Sequence, residues 1–380
     1  MKVTIISPCF PYPKRGNYYG IERYTENLAI NLKKIGIDVK IVTSYWYGGS
    51  RHDNFKGIPI LRIFDTKSLF GDLGTRTLLH FKTFGLNLLN WFNYRFYKDS
   101  DIIILNTYML FSKFFKFKGI PVIPVFHHFE KNFTIIGMQR NVFKEHNNII
   151  TVSNRSKNSL KKVYKVEEKN IKVIPNGINT KRFNPSNRSE QIREKYGNNI
   201  LLYAGLMVPR KRVPVLLKAM TYVINEIPDV HLILTGKVGL LDLYKNLAKR
   251  LGIQNNTSFL GFVEDNELLK FYASCDIFVF PSWREGFGQA ILEAMASGTP
   301  VICADMPPMS EIAGNGGLTF KKDDSKDLAK KIIHLLNNRD ELARLGENAL
   351  TRAKQYSWIQ IAKIYNDYLR LMINYPNNRS

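Results

Sequence analysis

The sequence predicts an α/β protein built from two doubly wound, Rossmann-like domains. Three observations lead there. Short β-branched runs alternate with amphipathic segments along the whole chain. The alternation stops at a turn-rich stretch, PNGINTKRFNPSNRS, and then restarts. The length of 380 residues exceeds the usual size of one domain. Strand–helix–strand order of this kind gives parallel sheets with helices on their faces.

The elements follow in order. KVTIIS opens as a buried strand. A loop with Gly16 and Gly20 comes next, then Ile21, Tyr24, Leu28, Leu32 and Ile35 recur at helical spacing until Gly36 stops the helix. Further strands are read at 38–44, 58–63, 101–106, 120–126, 148–153 and 171–176. After the linker, NILLYAG, HLILTG, TSFLGFV, DIFVFPS, TPVICAD and GGLTF are strands. VPVLLKAMTYVINEI, LLDLYKNLAKRLG and NELLKFYASC are helices between them. In the last helix Trp358, Ile361, Ile364, Tyr365, Tyr368 and Leu371 share an apolar face, which does not say which domain it packs on.

Composition bounds the function. There are 55 Lys and Arg against 32 Asp and Glu, a net charge of +23. Residues 1–180 hold 28 of the basic and 12 of the acidic side chains, a net of +16. Such a field attracts nucleic acid, anionic lipid headgroups and phosphorylated substrates; a lysine-rich solvated face is the equal alternative. Cys9, Cys275 and Cys303 form no CxxC pair, which fits a reduced, cytoplasmic compartment. MKVTIISPCF is too short for a signal peptide, and no run of about 18 apolar residues predicts a membrane span.

The segment PSWREGFGQAILEAMASGTPVI carries the clearest chemistry. A strand ends there, and Glu285-Gly286-Phe287-Gly288 turns into a helix through Ala290, Glu293 and Ala294. Gly286 and Gly288 let backbone N–H groups approach a ligand, and a helix N-terminus favours an anion. Glu285 falls in the turn. Its eight-residue separation puts Glu293 about two turns into the helix, one turn beyond Gln289 on the same face. A carboxylate beside a phosphate makes sense if it accepts hydrogen bonds from sugar or ribose hydroxyls. On residue types alone, a capped helix with solvated glutamates competes with that. Upstream, Arg210, Lys211 and Arg212 stand between a strand ending at Gly205 and a helix starting near Val213. Three cations at a helix start oppose the macrodipole, and an anionic ligand would relieve them.

The Pro281-to-Ile302 pattern resembles the E-x7-E motif of the retaining family 4 glycosyltransferases of GT-B fold, and the resemblance covers essentially the whole chain. It implies two domains facing across a cleft. Residues 1–178 with the crossover helix 358–380 would bind the acceptor, and 179–357 the nucleotide-sugar donor. Glu285 would contact the donor sugar and Glu293 the ribose. Backbone groups of Phe287, Gly288, Gln289, Ala290 and Ile291 would hold the diphosphate and nucleoside. The family's G-R-L-x-x-x-K-G pattern is matched at Lys211, but Leu206 replaces its Arg and Arg212 its second Gly. Arg210 is assigned as the substitute cation. Gly20, and less closely Gly16, match the family's N-terminal glycine loop. His127 matches a histidine facing the donor sugar, able to donate a hydrogen bond to it, while His128 takes the place of an Asp. A lone histidine is more often structural. TVSNRSKNSLKK resembles a second sheet-end motif, and Asn176 and Gly177 a hinge.

No Asp-x-Asp motif ends a strand and no His/Cys cluster has ligand spacing, so no metal or other cofactor is expected. Lys211, its neighbours and helix dipoles would neutralise the diphosphate. Residues 76–98 and 109–121 mix Phe, Trp, Tyr and Leu with Arg and Lys, as an anionic membrane interface would require. That predicts a peripheral protein on the inner face of the cell membrane and a glycan or lipid-linked hydroxyl acceptor. Their apolar side chains facing the sheet is the competing reading. A glycoside hydrolase would need the Glu285–Glu293 pair but no diphosphate site. A nucleotide-sugar epimerase on the same fold, and a basic nucleic-acid-binding protein without a recognised motif, are the other rivals.

Overall fold

In a computed structural model of the chain, residues 1–7, 10, 20–45, 50–65, 94–106, 119–127, 143, 146–236 and 239–374 are described. Gly16, His128, and most of the aromatic-basic stretches lie outside them. The chain divides into two compact units, Met1–Gly177 with Trp358–Ser380, and Ile178–Ser357. Among the described residues no helix is long and apolar enough to cross a membrane.

The first unit contains β1 (Lys2–Ile6), β2 (Asp38–Tyr45), β3 (His52–Phe55), β4 (Ile58–Asp65), β5 (Ile102–Leu105), β6 (Val122–Phe126), β7 (Ile149–Thr151) and β8 (Ile171–Val173). They form one sheet in the order β3-β4-β2-β1-β5-β6-β7-β8. Every pairing is parallel except β3 with β4. Strands such as β5 are wholly buried, because helices cover both faces of a parallel sheet. That is why they read as continuous apolar runs.

The edge strand β3 was not expected. Its sequence, HDNF, alternates half-buried and exposed side chains and has no apolar run. Turn chemistry forms it instead. Lys56 and Gly57 have φ of 52° and 76°, and Asn54 Oδ1 accepts a hydrogen bond from the Gly57 N–H at 2.7 Å. Two positive-φ residues in a two-residue loop match the right-handed twist of a hairpin.

The second unit holds β9 (Asn199–Ala204), β10 (Val230–Thr235), β11 (Thr257–Gly261), β12 (Ile277–Phe280), β13 (Val301–Ala304) and β14 (Gly317–Phe320). The order is β11-β10-β9-β12-β13-β14, all parallel. Helices Ser325–Asn337 and Arg339–Gln355 extend this unit beyond the elements read from sequence. In each sheet the chain winds outward one way, then returns across its first strand. The reversal falls between β1 and β5, and between β9 and β12. Loops leaving the carboxyl ends of such neighbours diverge and open a crevice, where ligands bind in folds of this kind.

The C-terminal helix, Trp358–Asn374, belongs to the first unit. Trp358, Ile361, Tyr365 and Leu369 enter the core that holds Tyr24, Leu28 and Leu32 of the first helix, Gly20–Lys34. Two members of the expected apolar face do not: Ile364 is 39% and Leu371 62% exposed. The face turns gradually around the helix, and the Tyr365–Leu369 row wins the core. Trp358 also explains Gly177. A Cβ on Gly177 would lie 2.4 Å from Cδ2 of the indole, so only glycine leaves the ring its place. Gly177→Ala should therefore destabilise the protein by about 1–3 kcal/mol, as overpacking does. Thermal unfolding checks this; an unchanged midpoint would mean the indole has room to move.

Candidate functional site

The second unit's reversal brings two loops together. After β9 the chain passes Gly205 and Leu206, makes a single turn at Pro209–Lys211, and enters the helix Val213–Glu226 through Arg212 at φ 55°. After β12 it passes Ser282 to Glu285 and enters the helix Gln289–Ala296. The Ser282 hydroxyl donates to Glu285 Oε1 at 2.5 Å. Arg210 and Lys211 reach the same oxygen at 2.9 and 2.8 Å. Arg210 also donates to the carbonyl of Arg284 at 3.2 Å. The Lys211 ammonium lies 4.5 Å from the centre of the Phe280 ring.

Lys211 and Glu285 side chains are 10% and 11% exposed, so this is a buried ion pair with a half-exposed second cation, Arg210. Burial alone would raise the Glu285 carboxyl. The Lys211 and Arg210 charges, with hydrogen bonds from Lys211 and Ser282, outweigh it and hold the carboxyl below its usual 4.5. Burial pulls the Lys211 ammonium down, against the attraction of Glu285. All three donors converge on Oε1. No described residue engages Oε2.

The cations at the start of Val213–Glu226 are thus already answered by carboxylates. Arg210 and Lys211 meet Glu285, and Arg212 meets Asp323 at 2.6 Å. An anionic ligand is not needed to relieve them, so that inference from the macrodipole fails. Leu206 is 46% exposed and offers no charge.

Glu293 sits one turn into its helix, not two, because the helix starts at Gln289. Gly288, at φ 110°, takes up the left-handed turn before it, which favours glycine. Tyr272 donates to Glu293 Oε2 at 2.9 Å. The side chains of Phe287 and Ile291 are buried, and Phe287 meets the Tyr356 ring edge-on. Gly286, Gln289 and Ala290 stand beside them at the helix N-terminus, where the Ile291 N–H donates to the Gly288 carbonyl at 3.0 Å. At the neighbouring strand end, a Cβ on Gly236 would lie 1.9 Å from the Gly205 carbonyl oxygen, so the backbones touch there.

In the first unit His127 follows β6 directly. Its Nε2 meets Asn106 Oδ1, and the Tyr24 ring approaches edge-on at 4.6 Å between centres. Gly20 opens the first helix with open space where a Cβ would be, so packing does not require a glycine there. Ser153 accepts from the Ser156 N–H and caps the helix Asn154–Lys162, which gives the serine motif a structural role. Asn176 keeps a buried Oδ1 without a partner among the described residues. Asn106, Tyr272 and Ser282 were missed as site residues. Asn106 left one signal, a polar residue closing an otherwise apolar strand.

The ion pair makes a pH-dependent prediction. In the wild type the depressed carboxyl contributes stability above 4.5 that is lost as pH falls through its lower folded value. In Lys211→Met burial meets less opposition, so the carboxyl rises and its buried charge destabilises at higher pH. The deficit against wild type should be about 3 kcal/mol at about pH 8, and smaller at about pH 5. Thermal unfolding at both pH values decides; an equal deficit at both would exclude this electrostatic account.

Two family descriptions match the chain: Glycosyl transferases group 1 over residues 186–352 and Glycosyltransferase Family 4 over residues 18–182. A D-inositol 3-phosphate glycosyltransferase from Corynebacterium glutamicum is 29% identical over 222 residues, 54% of this chain and 53% of that protein. The chain spans about half the length of such relatives. A sucrose-phosphate synthase from Thermosynechococcus elongatus is similar in structure, with a TM-score of 0.78 at 20% identity over 98% of each chain. HepE from Anabaena in complex with UDP has a TM-score of 0.74 at 22% identity, covering 98% of this chain and 100% of that one. The same protein has also been solved with UDP-glucose, at a TM-score of 0.70. With both of its parallel-sheet units matched in this way, the chain belongs to the family 4 glycosyltransferases of GT-B fold.

Proposed function

We propose that this protein transfers a sugar from a nucleoside-diphosphate sugar to a hydroxyl of a glycan or a lipid-linked acceptor, with retention of anomeric configuration. One observation carries the reading: a buried, ionised Glu285 held by two cations at a sheet reversal, beside a helix N-terminus. Glu285 Oε2 is left to accept from a donor-sugar hydroxyl. Glu293 accepts from the ribose. The backbone of Gly286 through Ile291 holds the diphosphate, as helix N-termini hold anions. Lys211 and Arg210 supply the positive charge that stabilises the departing diphosphate, without a metal. Arg210 stands in for the arginine absent at Leu206. The second unit takes the donor and the first the acceptor, while Gly20 and His127 are the first unit's residues for the donor, His127 for its sugar. The acceptor hydroxyl attacks from the leaving-group face and passes its proton to the departing phosphate.

A UDP-sugar is the first donor to try, since the structurally similar HepE has been solved with UDP-glucose. Incubation with UDP-, GDP- and ADP-sugars should release nucleoside diphosphate only when membrane lipid or glycan acceptor is added, and chelators should not stop it. Release of an isomerised sugar nucleotide would point to the epimerase instead. Glu285→Gln should lower turnover by about 10²–10³-fold. In calorimetric titration Lys211→Ala should weaken donor binding about 100-fold and Arg210→Ala about 10-fold, or ~3 and ~1.4 kcal/mol. An Arg210→Ala variant that binds normally while Lys211→Ala does not would remove Arg210 from this role.

We also infer that the protein attaches to the inner face of the cell membrane through its basic, aromatic first unit. The net charge of +16 over residues 1–180 supports this. Co-sedimentation should be strong with anionic vesicles and weak with neutral ones. Equal recovery with both would sink the idea.

A further inference from the structure

The turn that carries Arg210 and Lys211 ends at a residue whose backbone favours glycine. Arg212 has φ 55° and ψ 30°, in the left-handed region, where a β-carbon crowds the following carbonyl. It opens the helix Val213–Glu226, yet its side chain caps no N–H there. The turn itself is short. The Lys211 N–H donates to the Val208 carbonyl at 2.9 Å, and the Arg212 N–H to the Pro209 carbonyl at 3.2 Å. A strained conformation of this kind persists only where surrounding groups hold it.

The loop after β14 supplies the holding group. Arg212 Nε donates to Asp323 Oδ1 at 2.6 Å, across 111 residues of chain. Asp323 is itself left-handed, at φ 63°, which an aspartate tolerates better than most residues. Its loop is firmly tied. Asp324 accepts from the Lys326 and Asp327 N–H groups and caps the helix Ser325–Asn337, and the Lys321 N–H donates to Asp327 Oδ2 at 2.7 Å. That helix packs on Val213–Glu226, the helix that the turn leads into. The same loop also reaches the glutamate loop. Lys322 Nζ lies 4.2 Å from the centre of the Trp283 ring, and the Trp283 N–H donates to the Arg210 carbonyl at 3.4 Å. One loop thus grips both arms of the site, though β14 borders neither β9 nor β12 in the sheet.

We propose that Asp323 is a positioning residue for the donor site: by holding Arg212 in its left-handed conformation, it keeps Arg210 and Lys211 in place at Glu285 for the donor diphosphate. Arg212 then acts through the shape of its backbone and not through its charge on the donor. The effect on the donor rests on the transferase reading; the hold on the turn does not.

Calorimetric titration with UDP, GDP and ADP reads the effect on the donor. Arg212 and Asp323 side chains are 39% and 36% exposed, so their ion pair is a modest one, and Asp323→Ala should weaken binding by about threefold. Arg212→Ala keeps the strained β-carbon and loses the pair, so it should weaken binding equally. Arg212→Gly removes both the strain and the need for a partner. It should bind as the wild type does, and adding Asp323→Ala to it should bring no further loss. If Arg212→Gly weakens binding as much as Arg212→Ala, the arginine works by its charge and the proposal falls. Normal binding in Asp323→Ala overturns it too. Hydrogen exchange of the Lys211 and Arg212 amides reads the hold on the turn without any ligand. Asp323→Ala should speed that exchange, but not when Arg212→Gly is also present. Unchanged exchange in Asp323→Ala overturns the hold. A wild type that binds none of UDP, GDP and ADP counts against the transferase reading, while the exchange result still decides the role of Asp323.

Discussion

One carboxylate oxygen, Glu285 Oε1, joins the two loops on which the second unit's site depends. It receives Arg210, Lys211 and Ser282 at 2.5–2.9 Å, across 75 residues of chain in the case of Arg210. Desolvating a carboxylate and an ammonium is costly, and the attraction between them offsets that cost only when geometry is good and further hydrogen bonds are present. Here both conditions hold, and the Phe280 face adds a contact to Lys211. The contact exists because β9 and β12 are neighbours in the sheet though far apart in sequence. Without that pairing the loops would diverge and the charges would separate into water. The same interaction turns Glu285 so that one oxygen is committed to the protein and the other is not. A carboxylate tied through both oxygens would be a strut; tied through one, it can also be a ligand.

The parts of the fold that were legible in the sequence are those whose signal is local. Strands β5 and β9 are buried on both faces and read as apolar runs. The first helix shows its buried Tyr24, Leu28 and Leu32 at helical spacing. Strand β3 was hidden because an edge strand needs only a turn and one neighbour. The helix Ser325–Asn337 was passed over although Leu328, Ile332 and Leu335 mark its buried stripe. In the site, Glu285 and Glu293 stood out through a motif, and Lys211 through its place beside a strand end. Asn106, Ser282 and Tyr272 could not be found that way. Each acts through a partner, and a pattern of residue types along a chain does not record which side chain a hydroxyl or an amide will meet. The cationic turn was legible as charge but misread as unsatisfied, because Glu285 and Asp323 come from elements distant in sequence.

The C-terminal helix shows how a late segment can act on an early site without touching it. Trp358 occupies the space that Gly177 leaves, and Tyr365 pairs with Tyr24 inside the same core. Tyr24 presents its ring to His127. Buried aromatic pairs of this geometry resist rotation because close-packed neighbours leave no alternative rotamer. The ring orientation of His127 is therefore set by packing that includes the last helix.

The two sheet reversals solve different chemical problems with different residue types. At β9 and β12 the groups are charged: Arg210, Lys211 and Glu285. At β1 and β5 they are hydroxyls and an amide, Ser7, Thr25 and Asn106, with His127 beside them at the end of β6. Charged groups act on charge over several ångströms and discriminate little between hydroxyls. Neutral hydrogen-bonding groups act over one contact, but a fixed donor–acceptor order makes them selective, since a donor facing a donor leaves a buried polar group unpaired. A departing diphosphate calls for the first kind, which Arg210 and Lys211 supply. A mispositioned cation still attracts phosphate, whereas an amide or hydroxyl turned the wrong way meets its partner with the wrong sign.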